Sequence, residues 1–237
     1  MTAAPVTWHD VENGAYEADL PLWRALAEAE GGPILDLGAG TGRVAADLAA
    51  RGHDVVALDN DPDLLAALAE RAPAVATVRA DARDFAIDRR FALVIAPMQL
   101  VQILDGQDGR IAMLECVHAH LLPGGSFAAA LAEPGDAMPE GPASPPLPDV
   151  LERDGWVFSS QPMSVHEEDG RVVVERKRQT VSPAGDLQEE LVRIALDVVG
   201  LEDFERELRG TGLVPIARRE IAETPDHIGS TVVVCRR

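Results

Sequence analysis

The sequence is short of cysteine, of basic residues and of long apolar runs, and each shortage removes a class of protein. Its two cysteines, Cys116 and Cys235, lie far apart and form no Cys-x-x-Cys pair. A disulfide framework or a cysteine-built zinc site is therefore not expected. Lysine and arginine number 21 against 40 aspartates and glutamates, a formal net charge of −19. Such an excess of carboxylate repels phosphate backbones and anionic membranes, so nucleic acid is not an expected partner, and it also favours solubility. The longest apolar stretch, residues 91–104, is too short to span a bilayer and is interrupted by Gln99 and Gln102. Residues 1–6 lack a basic region followed by an apolar core, so they do not read as a signal peptide, and a cytoplasmic protein is expected. What remains is ordinary: 237 residues, 46% apolar and 26% charged, enough for one large α/β domain with a full core.

From residue 33 to about 131, strand-like and helix-like segments alternate. Strands are expected at 34–37, 54–58, 75–79, 91–96 and 126–131, and helices at 41–51, 62–71 and 110–122. Asp61 is a plausible N-cap for the second helix, with Pro62 at its first position. Repeated β-α-β units of this kind specify a parallel sheet with right-handed crossovers and helices on both faces.

The pattern changes after residue 132. Six prolines fall between Pro134 and Pro148, which forbids regular structure there. Period-two runs follow at 156–166 and 171–181, joined by Asp169-Gly170, a strong hairpin signal. A third run, 187–199, is compatible with a strand or a helix. Arg176, Lys177 and Arg178 are placed to face Glu189 and Glu190 across this meander. Leu201, Phe204 and Leu208 then mark a helix, and two strands at 213–221 and 229–235 close the chain.

The most informative stretch is residues 34–43. Four strand-suited residues run into Gly38, Ala39, Gly40, Thr41 and Gly42, and a helix pattern starts at once. Glycine allows a tight turn and close approach of a ligand to the main chain, while the helix start offers free N–H groups. The glycine spacing by itself is shared by two ligand classes. Dinucleotide folds use Gly-x-Gly-x-x-Gly with an acidic residue about 20 positions on. Gly38, Gly40 and Asp59 fit that pattern, but Arg43 occupies its third glycine position. The neighbouring strand ends favour the other class. Asp59 and Asn60, then Asp81 and Ala82, then Pro97, Met98 and Gln99 follow successive strands, on the edge where open parallel sheets bind ligands. A carboxylate at Asp59 can accept from a ribose diol, and one at Asp81 can take an exocyclic amine. Asp36, beside the glycines, would repel phosphate but can balance an ammonium group. The corner reads as built for an amino acid joined to adenosine.

At these residues the chain resembles the class I S-adenosylmethionine-dependent methyltransferases, of the small-molecule kind with domain types 25 and 11. The resemblance covers residues 32–131 and resumes from 201 to the end. It is carried by Asp36 to Gly42, Asp59-Asn60, Asp81-Ala82, residues 96–99 and residues 121–127. The family implies a Rossmann-like, doubly wound, mostly parallel seven-stranded sheet whose last strand is antiparallel, here with an antiparallel β insertion after strand five. It implies one domain: an N-terminal helical lid segment at 1–31, a core at 32–132 and 200–237, and an insertion at 133–199. It also implies that the glycine loop holds the methionine part of the cofactor, Asp59 the ribose, Asp81 and Ala82 the adenine, and that Pro97, Met98 and Gln99 line the methyl-transfer pocket. Residues 96–99 lack the amide or carboxylate that DNA amino-methyltransferases use to hold a base. The carboxylates of metal-dependent members are also missing there, so no metal is expected.

The expected reaction is transfer of the sulfonium methyl to a nitrogen or oxygen of a small metabolite by in-line displacement, where positioning supplies much of the acceleration. The alternatives are an NAD(P)-dependent oxidoreductase and a non-catalytic nucleotide-binding protein. Bases are few. His118 and His120 fall on a helix end at the opposite edge of the sheet and read as structural, whereas His9, His166 and His227 sit in segments that can reach the ligand edge. Tyr16, the sole tyrosine, and Trp23 are candidates for a lid over the acceptor pocket, with Gln99 below. A homodimer is open, because apolar alternation in the insertion (Val172, Val174, Val192, Ile194, Leu196) needs a covering surface.

Overall fold

The computed structural model describes residues 5–132, 146–224 and 227–237. Among them, two N-terminal helices, α1 (Pro5–Asn13) and α2 (Leu20–Glu30), precede an alternating core. That core runs β1 (Ile34–Leu37), α3 (Arg43–Ala50), β2 (Val55–Asp59), α4 (Pro62–Arg71), β3 (Ala76–Arg79), β4 (Phe91–Ala96), α5 (Gln107–His120) and β5 (Leu121–Leu131). A 3-10 turn at Leu100–Gln102 follows β4. The chain then makes β6 (Asp149–Arg153), β7 (Trp156–Glu168), β8 (Arg171–Val181) and β9 (Leu187–Asp197), before α6 (Leu201–Gly210), β10 (Val214–Ile221) and β11 (Ser230–Arg236).

The main sheet has seven strands in the order β10-β11-β5-β4-β1-β2-β3. β11 is antiparallel to both of its neighbours, and the remaining pairs are parallel. This is the expected doubly wound sheet with an antiparallel last strand. β1 and β2 are buried at every position, and β4 at all but one, as strands covered on both faces must be. One core layer joins Leu35, Val94, Phe127 and Val233 to Met113, Phe204 and Leu208 of α5 and α6. The other joins Ile34, Ile95 and Ala128 to Trp23, Leu48 and Leu68 of α2, α3 and α4. Asp61 caps α4, its carboxylate accepting from the amides of Asp63 at 2.8 Å and Leu64 at 3.3 Å.

The insertion is a separate four-stranded antiparallel sheet, β6-β7-β8-β9. Asp169 and Gly170, both at positive φ, make the β7–β8 turn, as the Asp-Gly dipeptide requires. A second such turn at Asp154-Gly155 joins β6 to β7, although the proline-rich approach hid this hairpin in the sequence. Most of that proline-rich stretch lies outside the described residues. The ambiguous third run is a strand, paired with β8 along its whole length. Of the expected cross-strand charges, Lys177 lies 4.0 Å from Glu189 and Arg178 3.8 Å from Glu190. Arg176 does not join them; it turns to Asp149 and to Glu12 of α1.

A buried glutamine closes the excursion. Gln102 donates through Nε2 to the carbonyls of Ala132 at 3.0 Å and Asp197 at 3.3 Å, and its Oε1 accepts from the Ala132 amide at 2.9 Å. Nearby, Arg110 forms a buried fork to Glu207, at 2.9 and 2.8 Å, that ties α5 to α6. His120 is structural, as expected: it accepts from the Ile87 amide at 3.0 Å and stacks on Phe85. His118 packs beside Gly212, also away from the ligand edge.

Candidate functional site

The turn after β1 is knitted to β2. The Ala39 amide donates to the Leu58 carbonyl at 3.0 Å, and the Gly40 amide to Asp59 Oδ2 at 2.8 Å. Asp59 Oδ1 accepts from the Asp61 amide at 2.9 Å. Each of these oxygens retains a second lone pair, so Asp59 can shape the turn and still accept hydroxyl protons. Asn60 beside it is exposed. Gly40 sits at φ +56°, and a Cβ there would lie 2.2 Å from His9 Nε2. Gly42, the N-cap of α3, sits at φ +90°, and its Cβ would meet Leu68 at 2.1 Å. These two glycines are dictated by both conformation and close approach.

Asp36 is the unusual group. It is 1% exposed, and its Oδ1 has no hydrogen-bond partner. Burial raises its pKa to about 7, against the pull of Arg43 and of a hydrogen bond from the Ala45 backbone. A buried carboxyl oxygen without a partner is costly unless a ligand completes it.

Arg43, the residue that breaks the dinucleotide pattern, is committed to the N-terminal segment. Its guanidinium forks onto Asp19 at 2.6 and 2.8 Å, donates to the Tyr16 carbonyl at 2.8 Å and lies 5.1 Å from the Tyr16 ring centre. Trp23 donates to the same Asp19 carboxylate at 2.8 Å. Trp23 is wholly buried in the core, so the lid role expected of it does not hold: the apolar face of α2 carries it under the sheet rather than over the edge. Tyr16 fares differently. It packs against His227 with ring centres 4.6 Å apart, which brings a candidate lid side chain and a candidate base together. His227 is braced by its turn, its amide donating to Thr224 Oγ1 at 3.0 Å. His166 does not join them. It lies toward the β7–β8 turn with its Nε2 3.4 Å from Glu168.

The segment after β4 reaches the glycine turn through Leu100. Leu100, just past Pro97, Met98 and Gln99, reaches to 2.9 Å from where a Gly38 Cβ would be. Met98 takes φ +57°, an uncommon conformation for a residue with a side chain. Asp81 is claimed by its neighbour: Arg83 binds both carboxylate oxygens, at 2.9 and 2.7 Å, and donates its amide at 2.8 Å. That grip holds the Asp81 carboxyl below the usual range. Ala82 is buried beside it.

His9 is the contact that sequence reading undervalued. It was one histidine among several in the sequence, yet it rests on Gly40 and places Nδ1 3.2 Å from Thr41 Oγ1. Burial holds its pKa below the usual imidazole value, so it is neutral at pH 7. No local pattern signals this contact, because the partners are 32 residues apart. A cavity of about 480 Å³ between α5 and α6 is lined by Gln107, Ile111 and Thr211, none of which borders the turn.

Residues 34–125 match the family model of a methyltransferase domain. Residues 34–125 are thus similar to a methyltransferase domain. The chain is 31% identical over 134 residues to the cypemycin N-terminal methyltransferase of a Streptomyces species, a match covering 56% of this chain and 55% of that protein. The chain thus spans about half the length of that curated relative. Among solved structures, the sugar N-methyltransferase KedS8 from Streptoalloteichus superposes with a TM-score of 0.80 at 20% identity, covering 100% of this chain and 95% of that one. The SAM-bound amino pentose methyltransferase CalS10 from Micromonospora echinaspora gives 0.75 at 21% identity, covering 100% and 98%. The glycopeptide N-methyltransferase MtfA, complexed with S-adenosylhomocysteine, gives 0.60 at 25% identity, covering 91% and 86%. The likeness to KedS8 and CalS10 extends across the β insertion as well as the methyltransferase domain. The dinucleotide alternative gives way here. Among the described residues no helix is long and apolar enough to cross a membrane.

Proposed function

We propose that the chain is an S-adenosylmethionine-dependent methyltransferase that methylates a nitrogen of a small molecule. The observation that carries the cofactor is Asp36: a buried carboxyl oxygen without a partner, set beside a glycine turn, fits the ammonium group of a methionine moiety. Asp59 would hold the ribose and the Ala82 backbone the adenine edge, while Asp81, gripped by Arg83, keeps spare lone pairs for the exocyclic amine. Bound there, S-adenosylmethionine supplies an electrophilic methyl group on a sulfonium. The chain's own work is to exclude water, hold the acceptor in line and accept a proton from it. Tyr16 and His227 are the side chains proposed for that face: the ring favours a cation, and an imidazole nitrogen can accept a proton. Nitrogen is preferred over oxygen because the relatives named above are described as N-methyltransferases or as acting on an amino sugar. The acceptor specificity is assigned to the β insertion, which leaves the sheet at the ligand edge after β5.

Calorimetric titration with S-adenosylmethionine, S-adenosylhomocysteine and NADH tests the cofactor. The two adenosyl ligands should bind and NADH should not; the reverse would sink the reading. Labelled methyl transfer into a panel of amino sugars, peptides with free N-termini and phenols tests the acceptor. Incorporation confined to phenols would reject nitrogen, and silence across the panel would favour a non-catalytic binding protein.

A further inference from the structure

Helix α1 is gripped from two sides. On one side His9 lies on Gly40 and against Thr41 of the glycine turn. On the other, Glu12 accepts from Arg178 of β8 at 2.7 and 2.9 Å and from Ser160 of β7 at 2.7 Å. Burial pushes the Glu12 carboxyl up, but Arg178 and Ser160 outweigh it and hold it below the usual range. Trp8 packs edge-on to Phe158 of β7, and the Arg178 guanidinium lies 5.1 Å from its ring centre. Asp10 spans the gap, forking to Arg71 of α4 at 2.8 and 2.7 Å and meeting Arg153 of β6 at 3.1 Å. Hence four residues of one nine-residue helix, Trp8, His9, Asp10 and Glu12, join the insertion to the glycine turn. The joint is not packed solid: a cavity of about 390 Å³ opens between α1, Leu64 and Arg178.

We propose that His9 is a positioning residue for the cofactor turn, and that the insertion sets its position through the Glu12–Arg178 pair. The proposal rests on the reading of the turn as a cofactor site. The Gly40 amide must point at Asp59 for the turn to hold its shape. The space above Gly40 is filled by an imidazole of α1, a helix held to the core by Asp10 and Arg71 and to the insertion by Glu12 and Arg178. An imidazole carried by α1 therefore fixes the turn in proportion to how firmly α1 is held, and the insertion supplies one of its two charged anchors. Anything that shifts β7 and β8 shifts His9, and the affinity for the adenosyl ligand follows. The cofactor end and the acceptor end of the site are thereby linked through one helix.

The test uses the full chain and S-adenosylhomocysteine as the probe, with affinities from calorimetry and amide exchange read at the glycine turn. His9→Ala should weaken binding by about tenfold, the effect of one buried contact. His9→Asn, whose amide can occupy the Nδ1 position toward Thr41, should recover most of that loss. Arg178→Met, a substitution in the insertion that touches no residue of the turn, should weaken binding by about three- to tenfold. In both weakening variants the Gly40 amide should exchange faster while amides of β4 and β5 keep their protection; a merely structural role would raise exchange throughout the core. Wild-type affinity and Gly40 protection in either His9→Ala or Arg178→Met overturns the proposal. Failure of the wild type to bind the probe would instead strike the functional reading. The exchange measurement on the ligand-free protein would still decide the role of His9.

Discussion

Replacing Asp36 by asparagine should make the protein more stable and less able to bind its cofactor, and both effects should depend on pH. Folding buries Asp36 completely and raises its pKa from 3.8 to about 7. The folded chain therefore keeps this proton over a range where the unfolded chain has released it. Stability falls as pH rises through that range and levels off above the folded pKa. The sequence pI of about 4.6 makes the acid end unsuitable for solution work, so the useful window is pH 5.5 to 8. Across it the folded carboxyl passes through about 1.5 pKa units of mismatch, a loss of roughly 2 kcal/mol. In a chain of this length that corresponds to about 4–8 °C in Tm. Asparagine is neutral throughout, so the Tm difference between variant and wild type should widen by that amount from pH 5.5 to 8, measured by scanning calorimetry. Taking the difference cancels the many other carboxylates. The binding effect has the opposite sense. An ammonium ligand favours the ionised carboxyl, so wild-type affinity for S-adenosylhomocysteine should rise with pH, by up to about tenfold per unit, and flatten above pH 7. The Asp36→Asn variant should bind weakly with no such slope. A Tm difference that stays constant with pH would refute the buried, protonated Asp36, and equal pH slopes in the two proteins would refute its pairing with the ligand.

Two further substitutions probe the same corner. Asp59→Ala removes the acceptor of the Gly40 and Asp61 amides and should weaken S-adenosylhomocysteine binding by about 1–3 kcal/mol in calorimetry; unchanged affinity would place the ribose elsewhere. Gly42→Ala and Gly52→Ala share φ +90°, but an added Cβ meets Leu68 at 2.1 Å at the first and nothing within 4 Å at the second. Denaturant unfolding should show a loss of about 1–2 kcal/mol for Gly52→Ala from backbone strain, and a clearly larger one for Gly42→Ala; equal losses would mean that the close approach to Leu68 has no energetic weight.

The parts of this molecule that were legible in its sequence are those governed by neighbours along the chain. Asp61 capping α4, Asp169-Gly170 turning the hairpin and three glycines after a buried strand each state their conformation within a few residues. The order of acidic strand ends extended that reading to the ligand edge, because a parallel sheet collects its carboxyl ends on one side. Contacts between distant segments were not legible. Trp23 was expected over the edge and is in the core, since an amphipathic helix states that a face is buried but not against what. His9 and Thr41, Arg43 and Asp19, and Glu12 and Arg178 are separated by 32, 24 and 166 positions, and no periodicity joins such pairs. Arg178 meets Glu190 of β9 as the register suggests, but its fork to Glu12 and the turn of Arg176 to Glu12 and Asp149 were not visible, because helix α1 lies at the other end of the sequence.

Gln102 has a consequence for how this protein can change. One buried amide side chain holds the chain where it departs from the core, at Ala132, and where it returns, at Asp197. The two ends of the excursion are thus stitched to a single point beside β4. A different hairpin or sheet could be spliced between those ends while the seam, the glycine turn and the order of the seven strands stay as they are. What would have to be rebuilt with each exchange is the face that meets α1. The insertion is a cassette with a fixed mount and one fitted edge.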